Sequence, residues 1–168
     1  MLLLNLFYLI LKIMKSKINL IILTIGKKPL IGLYNYKDNN LVEIIAITEQ
    51  LSEGLPLAFK DIDQKYQIEK IAFVNGPGSF MAIKIGYIFL RTFEIVRQNI
   101  ELLGNDGFYF NNNMPIKAIN NLWFIKENSS IEIKKLDNIY ESEFILPKIF
   151  KYSEYSKNIE PIYILNAI

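Results

Sequence analysis

The sequence contains no histidine and no cysteine. Their absence removes Ser-His-Asp and Cys-His nucleophile arrangements, thiol redox chemistry, disulfides and every conventional zinc site. Only carboxylates, Lys, Tyr, Ser and Thr remain for acid–base or nucleophilic work. Catalysis by this chain alone is therefore not expected, and neither a catalytic residue nor a metal ligand is assigned. Long blocks of like charge are missing as well: Lys and Arg total 19 against 17 for Asp and Glu, a net charge of +2. Nothing in that pattern resembles a nucleic-acid-binding arm. There is no internal repeat and no low-complexity linker. Lys far outnumbers Arg, and Asn and Ile abound, which reflects genomic base composition rather than function.

What the sequence does have is material for a core. Its 168 residues are 51% hydrophobic, enough for one ordinary domain or two small lobes. Residues 1–13, MLLLNLFYLILKI, form an apolar run too short to span a bilayer. They lack the basic start and small-residue cleavage site of a secretory signal. Met14-Lys15-Ser16-Lys17 has the character of an ordinary cytosolic start, which makes residues 1–13 an upstream extension. The alternative is a weak membrane-surface anchor. A cytoplasmic protein with no stable membrane association is the expectation.

From Ile18 onward the pattern is β. Ile18–Ile25 is a continuous apolar run suited to a strand buried on both faces. Gly26–Pro29 and Lys37–Asn40 are turns, bounding strands at Leu30–Tyr36 and Leu41–Ile47. Such short turns imply antiparallel neighbours, since parallel ones need long crossovers. Thr48–Tyr66 reads as a helix, with Leu51, Leu55, Phe59 and Ile62 at helical spacing. Gly54 and Pro56 are expected to disturb its first turns. Ile71–Val74 is a further strand.

The most informative stretch follows. Asn75-Gly76-Pro77-Gly78-Ser79 is a turn between that strand and a long helix from Phe80 to about Gln98. Gly76 and Gly78 permit backbone angles closed to other residues, Pro77 fixes one angle, and Ser79 is a good N-cap. A glycine-rich turn opening a helix is a candidate anion loop, here Asn75, Gly76, Gly78 and Ser79. The dinucleotide fingerprint fails, because it needs glycine where Met81 stands, and the P-loop pattern fails too. The helix itself is apolar almost all round, with charge only at Lys84, Arg91, Glu94 and Arg97. Either it is buried between the sheet and a neighbouring helix, or part of its arc meets a second protein.

After Ile100 the pattern weakens. Gly104–Gly107 reads as a turn, and Asn111-Asn112-Asn113 with Pro115 as a lobe boundary. Leu122–Glu127 and Ile131–Leu136 form an expected hairpin, and Phe144–Phe150 and Ile162–Leu165 are candidate strands. Glu43, Glu49 and Glu53 have no partner for paired-carboxylate chemistry. Asp61 and Asp63 cannot share a helix face and read as exposed charges.

Asn75-Gly76-Pro77-Gly78-Ser79-Phe80-Met81-Ala82-Ile83-Lys84-Ile85-Gly86 closely resembles the N-G-P-G-S-F-T-G-L-R-I-G signature of the TsaB family, also called YeaZ. The two differ only from Met81 to Lys84. Ser52-Glu53 with Leu55 and Pro56 is similar to the family's S-E-x-L-L-P helix start, and Pro161-Ile162-Tyr163 to its closing P-V-Y-L-R. TsaB is the non-catalytic dimerisation subunit of the bacterial machinery that makes threonylcarbamoyladenosine in tRNA.

The resemblance implies an α/β, actin/Hsp70-like ATPase (ribonuclease H-like) fold with a mixed sheet. Residues 14–104 would form a β-β-β-α-β-α first lobe and residues 105–168 a reduced second lobe. It implies a scaffold role beside TsaD, the catalytic paralogue, with the TsaE ATPase joining the pair. tRNA would be met indirectly through the complex, and the chain would form a homodimer when TsaD is absent. No cofactor is implied for this chain, although ATP could lie at the complex interface. The implied partner interface comprises Leu51, Leu55, Phe59, Phe80, Ile83, Lys84, Tyr87, Ile88 and Arg91. Where the family's first strand carries an Asp, Leu23-Thr24-Ile25-Gly26 has no acid, and Leu165 replaces a terminal Arg. The competing reading is an independent nucleotide-binding or glycoprotease-like enzyme using the Gly76–Ser79 loop.

Overall fold

A computed structural model describes residues 1–138 and 143–164. Its main sheet has five strands: β1 (Ser16–Leu23), β2 (Leu30–Asn35), β3 (Leu41–Ala46), β4 (Tyr66–Val74) and β5 (Glu101–Asn105). Their spatial order is β3-β2-β1-β4-β5. The two short turns make β1–β2 and β2–β3 antiparallel. The helical crossovers α2 (Leu51–Lys65) and α3 (Phe80–Arg97) make β1–β4 and β4–β5 parallel. The β-β-β-α-β-α order expected from the sequence is thus the order observed.

The central strand is buried on both faces, as its unbroken apolar run predicts: Leu20 to Leu23 are wholly inaccessible. One face of the sheet packs on the two helices through Ile18, Leu20, Ile31 and Leu33 against Leu55, Phe59 and Leu90. The other face sets Ile21, Leu23, Tyr34 and Val74 against Phe110, Leu146 and Phe150. A second sheet, β6 (Ile116–Lys117), β7 (Leu122–Glu127) and β8 (Ser130–Lys135), carries the expected hairpin. It closes a small cluster of Phe108, Ile116 and Phe124. A separate 13-residue helix, α1 (Leu2–Met14), precedes β1.

Three local expectations are corrected. Gly54 and Pro56 do not break the second helix, which runs unbroken over Leu51–Lys65. Gly54 is required there, because a Cβ would stand 2.4 Å from Ile47 Cγ2 as the first turn crosses the sheet edge. Gly104 and Asn105 end strand β5 rather than forming a turn, and Asp106 caps a one-turn helix, α4 (Gly107–Phe110), by accepting from the Phe108 and Tyr109 amides. Residues 144–150 are not a strand. Their only ladder contact is an isolated bridge between Asn40 and Ile149, although Leu146 and Phe150 enter the core. Residues 162–164 are irregular, and Leu165 lies outside the described residues.

The second face of the sheet is rich in tyrosine, with a consequence at high pH. Burial raises the Tyr34 and Tyr155 phenols far above the ordinary value. Burial, aided by a hydrogen bond to Glu154, pushes Tyr109 up to about 12. Tyr34 donates to the Pro147 carbonyl at 2.7 Å. A phenol whose folded pKa exceeds its unfolded value near 10 contributes stability that is complete below about pH 10. That stability is lost as pH rises through about 12. Alkaline titration followed by phenolate absorbance and circular dichroism should show these three tyrosines ionising only as the sheet unfolds. Ionisation of every tyrosine near pH 10 with secondary structure intact would contradict the buried placement.

Candidate interaction surface

The strand–turn–helix junction is built as its residue types suggest. Strand β4 delivers Asn75 at its end, where the Asn75 amide donates to the Asn105 carbonyl at 3.1 Å. Ser79 caps α3, its hydroxyl accepting from the Ala82 amide at 3.4 Å. The Gly76–Pro77 peptide is cis, and Gly76 has φ +119°, a conformation favouring glycine. Yet the turn is not an open cradle. A Cβ on Gly76 would lie 2.8 Å from the Ile162 carbonyl oxygen and 3.2 Å from Ile83 Cδ1. The Ile162 amide donates to the Asn75 carbonyl at 2.8 Å, and Asn75 Nδ2 donates to the Glu160 carbonyl at 3.0 Å. Gly78 is backed by Ile25. Of the four loop residues, Ser79 alone is exposed. Residues 160–163 of this same chain therefore pack against the Asn75–Gly76 side of the turn.

Replacing Gly76 by Ala should cost about 1–3 kcal/mol, from the positive φ and the contact with Ile162. Chemical denaturation measures it. A change under about 0.5 kcal/mol would mean that residues 160–163 do not hold the turn.

Helix α3 divides into two arcs. Ile83, Gly86 and Leu90 are buried toward the sheet. On the opposite arc Met81 is 60% exposed, Ile88 53%, Ile95 68% and Val96 67%. Met81, Ile88 and Ile95 recur every seven residues, about two helical turns, and Val96 adjoins the last, so the four share one face. Between α3 and α2 lies an apolar groove of about 420 Å³, whose walls include Ser52, Pro56, Met81, Lys84, Ile88 and Thr92. A second hollow of about 400 Å³, reaching Phe89, Phe93 and Arg97, continues it toward the far end of the helices. Pro56 contributes in a second way. Its missing amide withholds the helical donor from the Ser52 carbonyl. At the far end an ion pair joins Arg97 to Asp63.

The nine interface positions implied by the resemblance fall into three groups. Leu55, Phe59 and Ile83 are core residues, buried against this chain's own sheet and helices, with Leu55 and Phe59 at the floor of the groove. Phe59 is clamped edge-on by the rings of Phe89 and Phe93, each 4.9 Å away. Phe80 and Tyr87 are engaged by the terminal segment. Phe80 lies 4.8 Å from the Tyr163 ring, and the Tyr87 hydroxyl donates to Glu160 at 3.2 Å. Burial and that hydrogen bond raise the Tyr87 phenol above its ordinary value. Leu51 is half-buried, whereas Lys84, Ile88 and Arg91 are exposed, with Arg91 paired to Glu94. Met81, Thr92, Ile95 and Val96 belong to the same exposed arc and were not among the nine. Their spacing from Ile88 was the available signal.

No protein-family model matches the chain, and no curated protein matches it. Solved structures do. YeaZ from Pseudomonas aeruginosa superposes over 70% of this chain and 64% of its own length, at a TM-score of 0.52 and 14% identity. The chain has the fold of YeaZ. A second Pseudomonas aeruginosa structure, an uncharacterised protein with similarity to peptidase YeaZ, covers 70% of this chain and 63% of its own at 14% identity and a TM-score of 0.47. This chain thus spans less than two-thirds of the length of either. The YeaZ-like fold is α/β with a mixed five-stranded sheet. In this frame α2 and α3 lie side by side on one face of the sheet, with their groove turned outward. Among the described residues no group of three or more Asp or Glu side chains could hold a metal ion. No helix among them is long and apolar enough to cross a membrane.

Proposed function

We propose that this chain is a scaffold subunit of the TsaB type, without catalytic residues of its own. It would pair with TsaD across α2 and α3 and support threonylcarbamoyl transfer to the adenosine next to the tRNA anticodon. The observation that carries this reading is the exposed apolar arc of α3, Met81, Ile88, Ile95 and Val96, beside an apolar groove. Clustered large apolar residues on an ordered helix are what a helix-in-groove interface requires. The signature Asn75–Phe80 and the YeaZ-like fold favour TsaD as that partner. The Gly76 turn adds weight, since residues 160–163 pack against it and its role is to aim α3.

TsaE and ATP join at the heteromeric interface in this reading, tRNA is met through TsaD, and the face pairs with a second copy when TsaD is absent. The test is co-purification with the cognate TsaD, together with depletion of this protein and measurement of threonylcarbamoyladenosine in bulk tRNA. Reduced modification is expected. Unchanged modification would remove the function, and absence of a complex would remove the interface.

A further inference from the structure

Among the described residues the most exposed large apolar side chains lie not on the α3 arc but on helix α1. Leu2 is 89% exposed, Leu3 83%, Leu4 76% and Phe7 63%. None of its described side chains joins any of the hydrophobic clusters of the body. Leaving that much hydrocarbon in water is unfavourable, so a partner of apolar character is called for. At 1.5 Å per residue its 13 residues extend about 20 Å, short of the roughly 30 Å needed to cross a bilayer.

Charge decides which apolar partner fits. No acid precedes Asp38 in the sequence, whereas Lys12, Lys15 and Lys17 fall at the end of α1 and just after it. Lys15 is anchored to the Asp63 carbonyl, so α1 leaves the body beside the C-terminal ends of α2 and α3. That end of the sheet also carries Lys65, Arg97 and the exposed Ile95 and Val96. Its carboxylates Asp63 and Glu69 are already paired, with Arg97 and Lys17. A second copy would present the same lysines, and the α2–α3 groove has Lys60 and Lys84 at its walls. Asp63, the acid at those walls, is already held by Arg97, and pairing of two copies through α1 would bring like charges together.

We propose that α1 lies in the headgroup boundary of an anionic lipid bilayer, parallel to the surface, with the basic end of the body at its base, Lys15 and Lys65, toward the phosphates. Apolar burial supplies part of the affinity, and basic residues near the surface supply the rest. The proposal is independent of pairing with TsaD.

The test uses the full chain from Met1 with unilamellar vesicles of phosphatidylglycerol and phosphatidylcholine, against vesicles of phosphatidylcholine alone. Co-sedimentation should be about tenfold greater with the anionic vesicles at low salt and fall as salt screens the lysines. The double variant Leu3→Glu, Phe7→Glu should remain in the supernatant with an unchanged melting temperature. Equal partition of variant and parent, or no binding to anionic vesicles, overturns the proposal. So does a lowered melting temperature of the variant, which would place α1 against the body. A lipid-free oligomer abolished by the same substitutions would make a second copy the occupant. Protein recovered from its cells beginning at Met14 would likewise end it.

Discussion

Ile88→Arg should abolish co-purification with TsaD while leaving the protein folded. Ile88 stands midway along the exposed arc of α3, 53% accessible, in the wall of the α2–α3 groove. Its apolar neighbours Met81 and Ile85 share the groove, and Lys84 and Thr92 flank it. In an interface centred there, arginine would bury a charge with no partner beside an existing lysine, at a cost of several kcal/mol. A loss of about 2 kcal/mol or more is expected, roughly thirtyfold or greater in the dissociation constant. Because the side chain faces outward, thermal stability should move by no more than about 0.5 kcal/mol. Undiminished pairing by a folded variant would place the partner elsewhere.

Phe59→Ala should behave in the opposite way. Phe59 came from the same implied interface, but it is 1% exposed and packs between Phe89 and Phe93 beneath the groove. Truncation removes a buried ring from the contact that seats α2 and α3 together. The expected loss is about 3–5 kcal/mol of folding stability. Against a total of about 5–15 kcal/mol for a domain of ordinary size, that brings unfolding within reach of mild denaturant. Urea denaturation measures it, and a loss below about 1 kcal/mol would mean the helices are not locked by this aromatic cluster. Any accompanying loss of TsaD pairing should be recovered at low temperature or with stabilising osmolyte, whereas that of Ile88→Arg should not.

Residues in contact with their own sequence neighbourhood were legible early. The unbroken apolar run of β1, the turns at Gly26 and Lys37, the Ser79 cap and the Leu51–Leu55–Phe59–Ile62 spacing each announce their element through local period and turn chemistry. Strand β5 was hidden because Gly104 and Asn105 look like a turn. What makes them a strand is parallel pairing with Phe73 and Val74, a distant partner. Residues 144–150 went the other way. Their apolar residues are a true core contribution, but their backbone bonds go to scattered partners, Ile145 to Phe110 and Phe150 to Asn39. Alternation of side chains cannot reveal that.

The sequence by itself determined the absence of histidine and cysteine chemistry, the β-β-β-α-β-α order, and a helix apolar around nearly its whole circumference. These depend on residue type and on spacings within one turn or one pleat. Only the tertiary structure decided which arc of α3 is spent on the sheet and which remains free. A helix apolar on every side has no period to say which way it faces, so the choice is made by Leu20, Ile71 and Phe59 packed against it. The tertiary structure also decided the fate of the Gly76 turn. A glycine with φ +119° suits a phosphate or a neighbouring backbone equally well, and here the neighbour is Ile162, eighty-six residues later in the chain.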